Sequence, residues 1–142
     1  MEWVDEGLEI LSEEACRELL ATASVGRVAV TLSALPIVLP VNFGMLDGDV
    51  VFATGDGLKL RAALDEAVVG FEVDEIDPLA ETGWSVLVVG PARLVTDPDE
   101  IARIRALGVR PWVRGAGGHW VRIVGTFLSG RRISPTANGA AW

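Results

Sequence analysis

The residues best placed to do chemistry lie between Thr54 and Lys59. The segment Thr-Gly-Asp-Gly-Leu-Lys follows an apolar run, Val50–Thr54, and opens an amphipathic stretch from Leu58 to about Leu64. A strand that hands a hydroxyl, small residues and an ammonium group to the start of a helix makes room for an anion. The first N–H groups of a helix lack partners, its dipole is positive there, and the lysine adds a full charge. On spacing alone an ordinary turn accounts for the segment more often than an anion site does. Asp56 also repels phosphate unless it points outward. Asn42, between Val41 and Phe43 on a strand, calls for water, a polar protein group or the edge of a ligand ring. Trp84 and Trp120 suit core or interface packing better than stacking on a ligand, and Arg131-Arg132 suits a solvated pair.

The other reactive side chains form no recognisable catalytic set. Cys16 falls on an apolar helix face with no base near it in sequence, which is a packing position. The single histidine, His119, stands beside Trp120 and far from any Gly-x-Ser-x-Gly turn, so it reads as a strand-start or surface residue. One His and one Cys give no zinc-ligand spacing, and no metal site is expected. The Gly-Asp-Gly turn lacks the third glycine and the βαβ frame of a dinucleotide fingerprint. A chain so short of acid–base groups would do redox chemistry by borrowing the reactive atoms of a cofactor.

These residues need a β scaffold to hold them. Gly26–Leu32 alternates Val28, Val30 and Leu32 against Arg27, Ala29 and Thr31, which predicts a strand with one buried face. Ile37–Phe43 is the return strand, and Pro40, lacking an N–H, places it at an edge or bulge or turns its unpaired side to a ligand. Asp47-Gly48 signals a hairpin into Val50–Thr54, so an antiparallel meander of three strands is expected. Val68–Asp74 reads as a fourth strand, followed by an acidic loop from Glu75 to Gly83. Trp84–Val95 is the longest β run, with a bulge or bend at Gly90-Pro91. His119–Leu128 is the sixth, with Ser129–Ile133 turning off its end. Ser12 caps a helix carrying Cys16, Leu19 and Leu20, and Asp97-Pro98 starts another. Residues 110–118 read as a glycine-rich loop. Residues 1–11, in which Trp3 would anchor the chain to the body, are a lead-in, and 134–142 are a tail. The fold class expected is mainly β (α+β): a six-stranded antiparallel barrel with a few short flanking helices, in a single domain over 1–142.

Bulk properties set limits. The 142 residues carry a net charge of -8, which removes the basic surface that nucleic-acid binding needs. One cysteine precludes an intrachain disulfide and suits a reducing cytoplasm. The acidic start lacks the character of a signal peptide, and no apolar run approaches the roughly 20 residues that span a bilayer. A cytoplasmic protein without membrane or nucleic-acid partners is expected.

Taken in order, VGRVAV, LPIVLPVNF, DGDVVFATGDGLKLRAAL, VVGFEVDEID, GWSVLVVGPARLV and VRI…SGRRI resemble the pyridoxamine 5'-phosphate oxidase-like family of flavin-binding split barrels, particularly its small single-domain members. The resemblance covers about residues 8–133. It implies a six-stranded split barrel working as a homodimer, with FMN at the subunit interface and a small organic molecule as substrate. Thr54 and Lys59 would hold the phosphate. Val41 and Asn42, with the backbone of Val28, Ala29 and Val30, would line the flavin ring. Trp84 and Ser85 would contact ring or phosphate, and Arg131 and Arg132 would border the substrate side. Leu58 stands where relatives often carry a further cation, which implies either a weaker hold on the phosphate or a cation supplied at the interface by Arg27 or another residue. The C-terminal elements that grip pyridoxal phosphate are not recognisable, and oxidation of that vitamin is not expected. The function implied is an FMN-dependent oxidoreductase. The alternatives are a reductase using a deazaflavin coenzyme and a non-catalytic sensor holding flavin or haem.

Overall fold

The structure, a computed structural model, describes residues 8–111 and 118–133. These form, in order, β1 (Leu8–Ile10), α1 (Glu13–Thr22), β2 (Val25–Leu32), β3 (Leu35–Asn42), β4 (Gly44–Leu46) and β5 (Asp49–Thr54). Then come α2 (Leu58–Leu64), β6 (Val68–Asp77), β7 (Thr82–Val95), α3 (Pro98–Arg105), β8 (His119–Ile123) and β9 (Phe127–Ile133). Trp3, most of the glycine-rich loop (112–117) and the tail (134–142) lie outside the described residues.

Every pairing is antiparallel, and one strand belongs to two sheets. The first half of β7 lies between β6 and β9, in a sheet ordered β3-β2-β6-β7-β9-β1. Its last four residues pair with β8, in a second sheet ordered β7-β8-β5-β4. The path ends at β3 and β4, so the barrel is split rather than closed. β3 lies at an edge, as Pro40 requires.

The transfer between sheets happens at Gly90-Pro91. Val124 N–H donates to the Pro91 carbonyl (3.0 Å) and Thr126 N–H to the Val89 carbonyl (3.0 Å). A Cβ at Gly90 would stand 1.8 Å from the Val124 carbonyl oxygen, so no side chain fits there. The same crossing corrects the expected sixth strand. The run 119–128 is cut at Val124–Thr126, where the chain follows the bend of β7 from one sheet to the other. Ser129–Ile133, expected as a turn, is the bulk of β9.

Three further boundaries differ from expectation. The lead-in is not entirely irregular, because Leu8–Ile10 pairs with Arg131–Ile133. The acidic loop after β6 is a tight turn, since strand pairing reaches Asp77–Thr82. The three-stranded meander does not form. Asp47-Gly48 joins β4 to β5, with both residues at positive φ as a tight hairpin turn demands. β3 touches β5 without pairing to it. Phe43 carries the chain across instead. Its N–H donates to the Ser24 carbonyl (3.0 Å), and its ring meets Phe71 edge-on at 4.8 Å between centroids.

The main core lies between the two sheets and is built from Phe52, Phe71, Val86, Val88, Val121 and Ile123, with Cys16 and Leu20 of α1 buried against it. Ser12 caps α1, its hydroxyl accepting from Ala15 N–H (3.2 Å). On the far face of the second sheet, Ile104 of α3 packs with Leu46, Val51 and Val95. Glu100 fixes α3 there by accepting from Arg93 (2.6 and 3.2 Å) and Arg122 (2.8 Å), while Arg122 also donates to Asp49 (2.8 Å). These two guanidinium groups hold the Glu100 carboxyl below its usual range despite its burial.

Candidate functional site

Thr54 closes β5 and Lys59 stands in the first turn of α2, on either side of the loop that joins the two elements. Thr54 is the one buried polar residue among the described core positions. Its hydroxyl donates to the neighbouring Gly55 carbonyl (3.2 Å), a local bond that a rotating hydroxyl can exchange. Lys59 stands in the first turn of α2 with its Nζ 6.0 Å from the centre of the Phe52 ring. Burial pushes its pKa down, and among the described residues it makes no ion pair. An ammonium partly stripped of water and lacking a counter-charge is what an anionic ligand would complete. The corner therefore fits a phosphate group on the chemistry of its donors. Asp56, in the loop between the two, turns outward and is 95% exposed.

Ala29, Ser85 and Arg131 share a different surface, the outer face of the first sheet. The strand registers lay down neighbouring cross-strand rows there. One contains Arg131, Ser85 and Asp74; the next Ser129, Leu87, Glu72 and Arg27; the third Phe127, Val89, Gly70, Ala29 and Val38. Two shallow hollows of about 310 Å³ each lie on this face, one around Ala29 and Val38, the other around Ser85 and Arg131. Arg27, considered as a helper cation for the phosphate, is engaged here by Glu72 (3.3 Å) and Asp74 (3.1 Å). Burial and the adjacent Asp74 carboxylate push the Glu72 carboxyl up to about 7, against the opposing pull of Arg27.

The remaining expected residues are dispersed. Val28 and Val41 turn their side chains into the core, and the Val28 backbone is held in ladders on both sides, opposite Leu39 and Phe71. Asn42 lines a cleft of about 510 Å³ between the end of α1, the β3–β4 junction and residues 107–110. Its side-chain amide already has a protein partner, the Arg110 carbonyl (2.5 Å). Trp84 packs against the core beside its cross-strand partner Arg132, and so faces away from Ser85 and Arg131. Adjacent in sequence, Arg131 and Arg132 serve opposite faces of β9.

One group that spacing gave no reason to select joins the Thr54–Lys59 corner. His119 pairs across the second sheet with Thr54, and its Nε2 lies 3.4 Å from Asp56 Oδ1. The two histidine neighbours are 65 and 63 residues away in sequence, so a local pattern could not have revealed them. Among the described residues no cluster of His, Cys, Asp and Glu has the makings of a metal site, and no helix is long and apolar enough to cross a membrane.

A long strand shared between two open antiparallel sheets, with a lysine at the corner where β5 ends and α2 begins, defines a split-barrel protein. The chain belongs to the pyridoxamine 5'-phosphate oxidase family, whose model matches residues 12–132. An uncharacterised protein of Mycobacterium tuberculosis is 40% identical over 133 residues, spanning 90% of this chain and 86% of its own. The solved structure of an FAD-binding protein from Mycobacterium smegmatis aligns with a TM-score of 0.74 at 36% identity, covering 87% of this chain and 97% of that one. A conserved Corynebacterium diphtheriae protein of unknown function aligns with a TM-score of 0.77 at 30% identity, covering 91% and 100% of the two chains.

Proposed function

We propose that this protein is a flavin-dependent oxidoreductase that works as a homodimer and holds the phosphate of its flavin nucleotide with Lys59 and Thr54. The observation that carries the reading is Lys59, a half-buried ammonium group over the Phe52 ring without a carboxylate partner among the described residues, in the helix that follows the strand ending in the buried Thr54. The M. smegmatis relative, an FAD-binding protein, supports a flavin as the ligand. The resemblance in the strand motifs favours FMN, and the corner offers the same donors to the phosphate of either nucleotide. A bound flavin supplies the redox step, accepting or giving a hydride equivalent that this chain has no side chains to handle.

The protein's own part is positional. Lys59 supplies charge to the phosphate, and Thr54 supplies a hydroxyl whose bond to Gly55 is exchangeable. Ala29 and Ser85 lie on the outer face of the first sheet, away from that corner, with Val38, Leu87 and Phe127 exposed around them. A second copy seated on this face would cover the apolar residues and bring Ser85 and Arg131 to the rim of a shared site.

Titration of the purified protein with FMN, FAD and a deazaflavin coenzyme, followed by flavin fluorescence and visible absorbance, tests the reading. The expected result is saturable binding of a flavin nucleotide, weaker for the deazaflavin coenzyme. Absence of any spectral change on titration overturns it. A fully loaded protein that fails to turn over reduced nicotinamide with a broad panel of small acceptors would retain the binding and remove the oxidoreductase activity.

A further inference from the structure

We propose that His119 is a third phosphate-contacting residue at the Thr54–Lys59 corner, and that Asp56 is the anion it exchanges for the ligand. The inference rests on the flavin reading above and adds to it a pH-dependent step. Three geometric facts carry it. The β5–β8 register sets His119 opposite Thr54 and Val121 opposite Phe52. Side-chain alternation then puts His119, Val121, Thr54 and Phe52 on one face of the second sheet. Lys59 holds its ammonium over Phe52 on that same face, at 6.0 Å from the ring centre. A hydroxyl, an ammonium group and an imidazole therefore border one region.

Asp56 explains how the imidazole is occupied before a ligand arrives. Its Oδ1 lies 3.4 Å from His119 Nε2, and the carboxylate is 95% exposed while the imidazole is 38% exposed. A contact so well solvated contributes little, so a phosphate with two or more acceptor oxygens can replace it. The rest of the surroundings are neutral. On the face that carries His119, β5 presents Val50 and Phe52, and β7 presents Ala92 and Leu94. Arg93 and Arg122 pair with each other on the opposite face and are committed to Glu100. Among the described residues the charges that bear on His119 are thus Asp56 and, from α2, Lys59.

The consequence concerns protons. A protonated imidazole donates a charge-assisted hydrogen bond to phosphate, whereas the neutral ring offers one N–H and no charge. Affinity should fall as pH rises through the range in which imidazoles titrate, between about pH 5 and 8. FMN is a poor probe of this, because its own phosphate loses a second proton near pH 6. FAD, whose diphosphate keeps a constant charge over the range, is the probe of choice, and riboflavin, which has no phosphate, is the control.

The test is the dissociation constant of FAD and of riboflavin between about pH 5 and 8 for wild type, H119Q and D56N, measured by fluorescence quenching. For wild type, the FAD constant should rise roughly tenfold across the range, the size of one charge-assisted hydrogen bond. Riboflavin should show no such trend. H119Q should bind FAD weakly and without pH dependence. D56N, altered at a water-exposed residue, should bind FAD more tightly than wild type does at the acid end of the range, where a protonated imidazole has an anion to exchange. Equal FAD profiles for wild type and H119Q overturn the role of His119 and leave the flavin reading standing, as does a riboflavin trend parallel to that of FAD. An unchanged D56N constant overturns the exchange. Should H119Q fail to fold, the wild-type and D56N profiles decide. Failure of wild type to bind any flavin at any pH removes the flavin reading, and this inference with it.

Discussion

Lys59 shows how a single residue reports a site. A lysine normally keeps its ammonium in water and rests only its stem on the protein. Here the ammonium is drawn over the Phe52 ring, burial lowers its pKa, and the described residues bring it no carboxylate. That arrangement raises the energy of the ligand-free protein and makes room for an anion to lower it. Replacement of Lys59 by alanine should weaken binding of the flavin nucleotide by about 1.5–3 kcal/mol, the range for a hydrogen bond to a charged group, and leave riboflavin binding nearly unchanged. Calorimetric titration of both ligands checks this. An equal loss for riboflavin would mean that Lys59 supports the corner rather than the phosphate.

At the scale of elements, β7 matters most. It is the longest strand, its two halves serve different sheets, and the crossing at Gly90-Pro91 sets how the sheets lie against each other. The backbone of Val124 passes so close to Gly90 that a methyl group there would overlap a carbonyl oxygen, with no flexible side chain to give way. The expected outcome for G90A is a loss of about 3 kcal/mol or more of stability, at the severe end of single substitutions. Urea denaturation followed by tryptophan fluorescence measures it. Wild-type stability in G90A would show that the crossing relaxes easily and that the two sheets are less firmly coupled than the close approach suggests. The opposite end of β7 places Trp84 and Ser85 on opposite faces, which a consecutive pair in a strand must do.

For the whole molecule, the outer face of the first sheet is the feature that awaits a partner. Val38 (60% exposed) and Phe127 (54% exposed) lie in one cross-strand row with Ala29 and Val89. An apolar row on an open sheet is a common mark of an interface. V38E should convert the proposed dimer to monomer, read by sedimentation velocity, because a carboxylate at that position would be desolvated without a partner. It should also lower flavin affinity if the second copy completes the site. A wild-type chain that sediments as a monomer would exclude the face as a self-association surface.

Much of this molecule is legible in its sequence, because the features concerned are local. Period-two alternation in Gly26–Leu32 marks a strand whatever that strand later pairs with. Ser12 and Asp97 cap helices through bonds only two or three residues long. Thr54 and Lys59 flank one loop because only five positions separate them in the chain. Pairing partners are a different matter, since alternation says which face is buried and not which strand lies alongside. That is why the expected meander resolved into β4–β5 in one sheet and β3 in another, and why Ser129–Ile133 emerged as a strand. It is also why His119 could be read as a strand start but not as the neighbour of Thr54, and why which of its possible partners Asn42 takes, the Arg110 carbonyl, could not be read. Local chemistry can be read along the chain; which distant groups share a corner depends on how the whole core packs, and that is a property of all its contacts together.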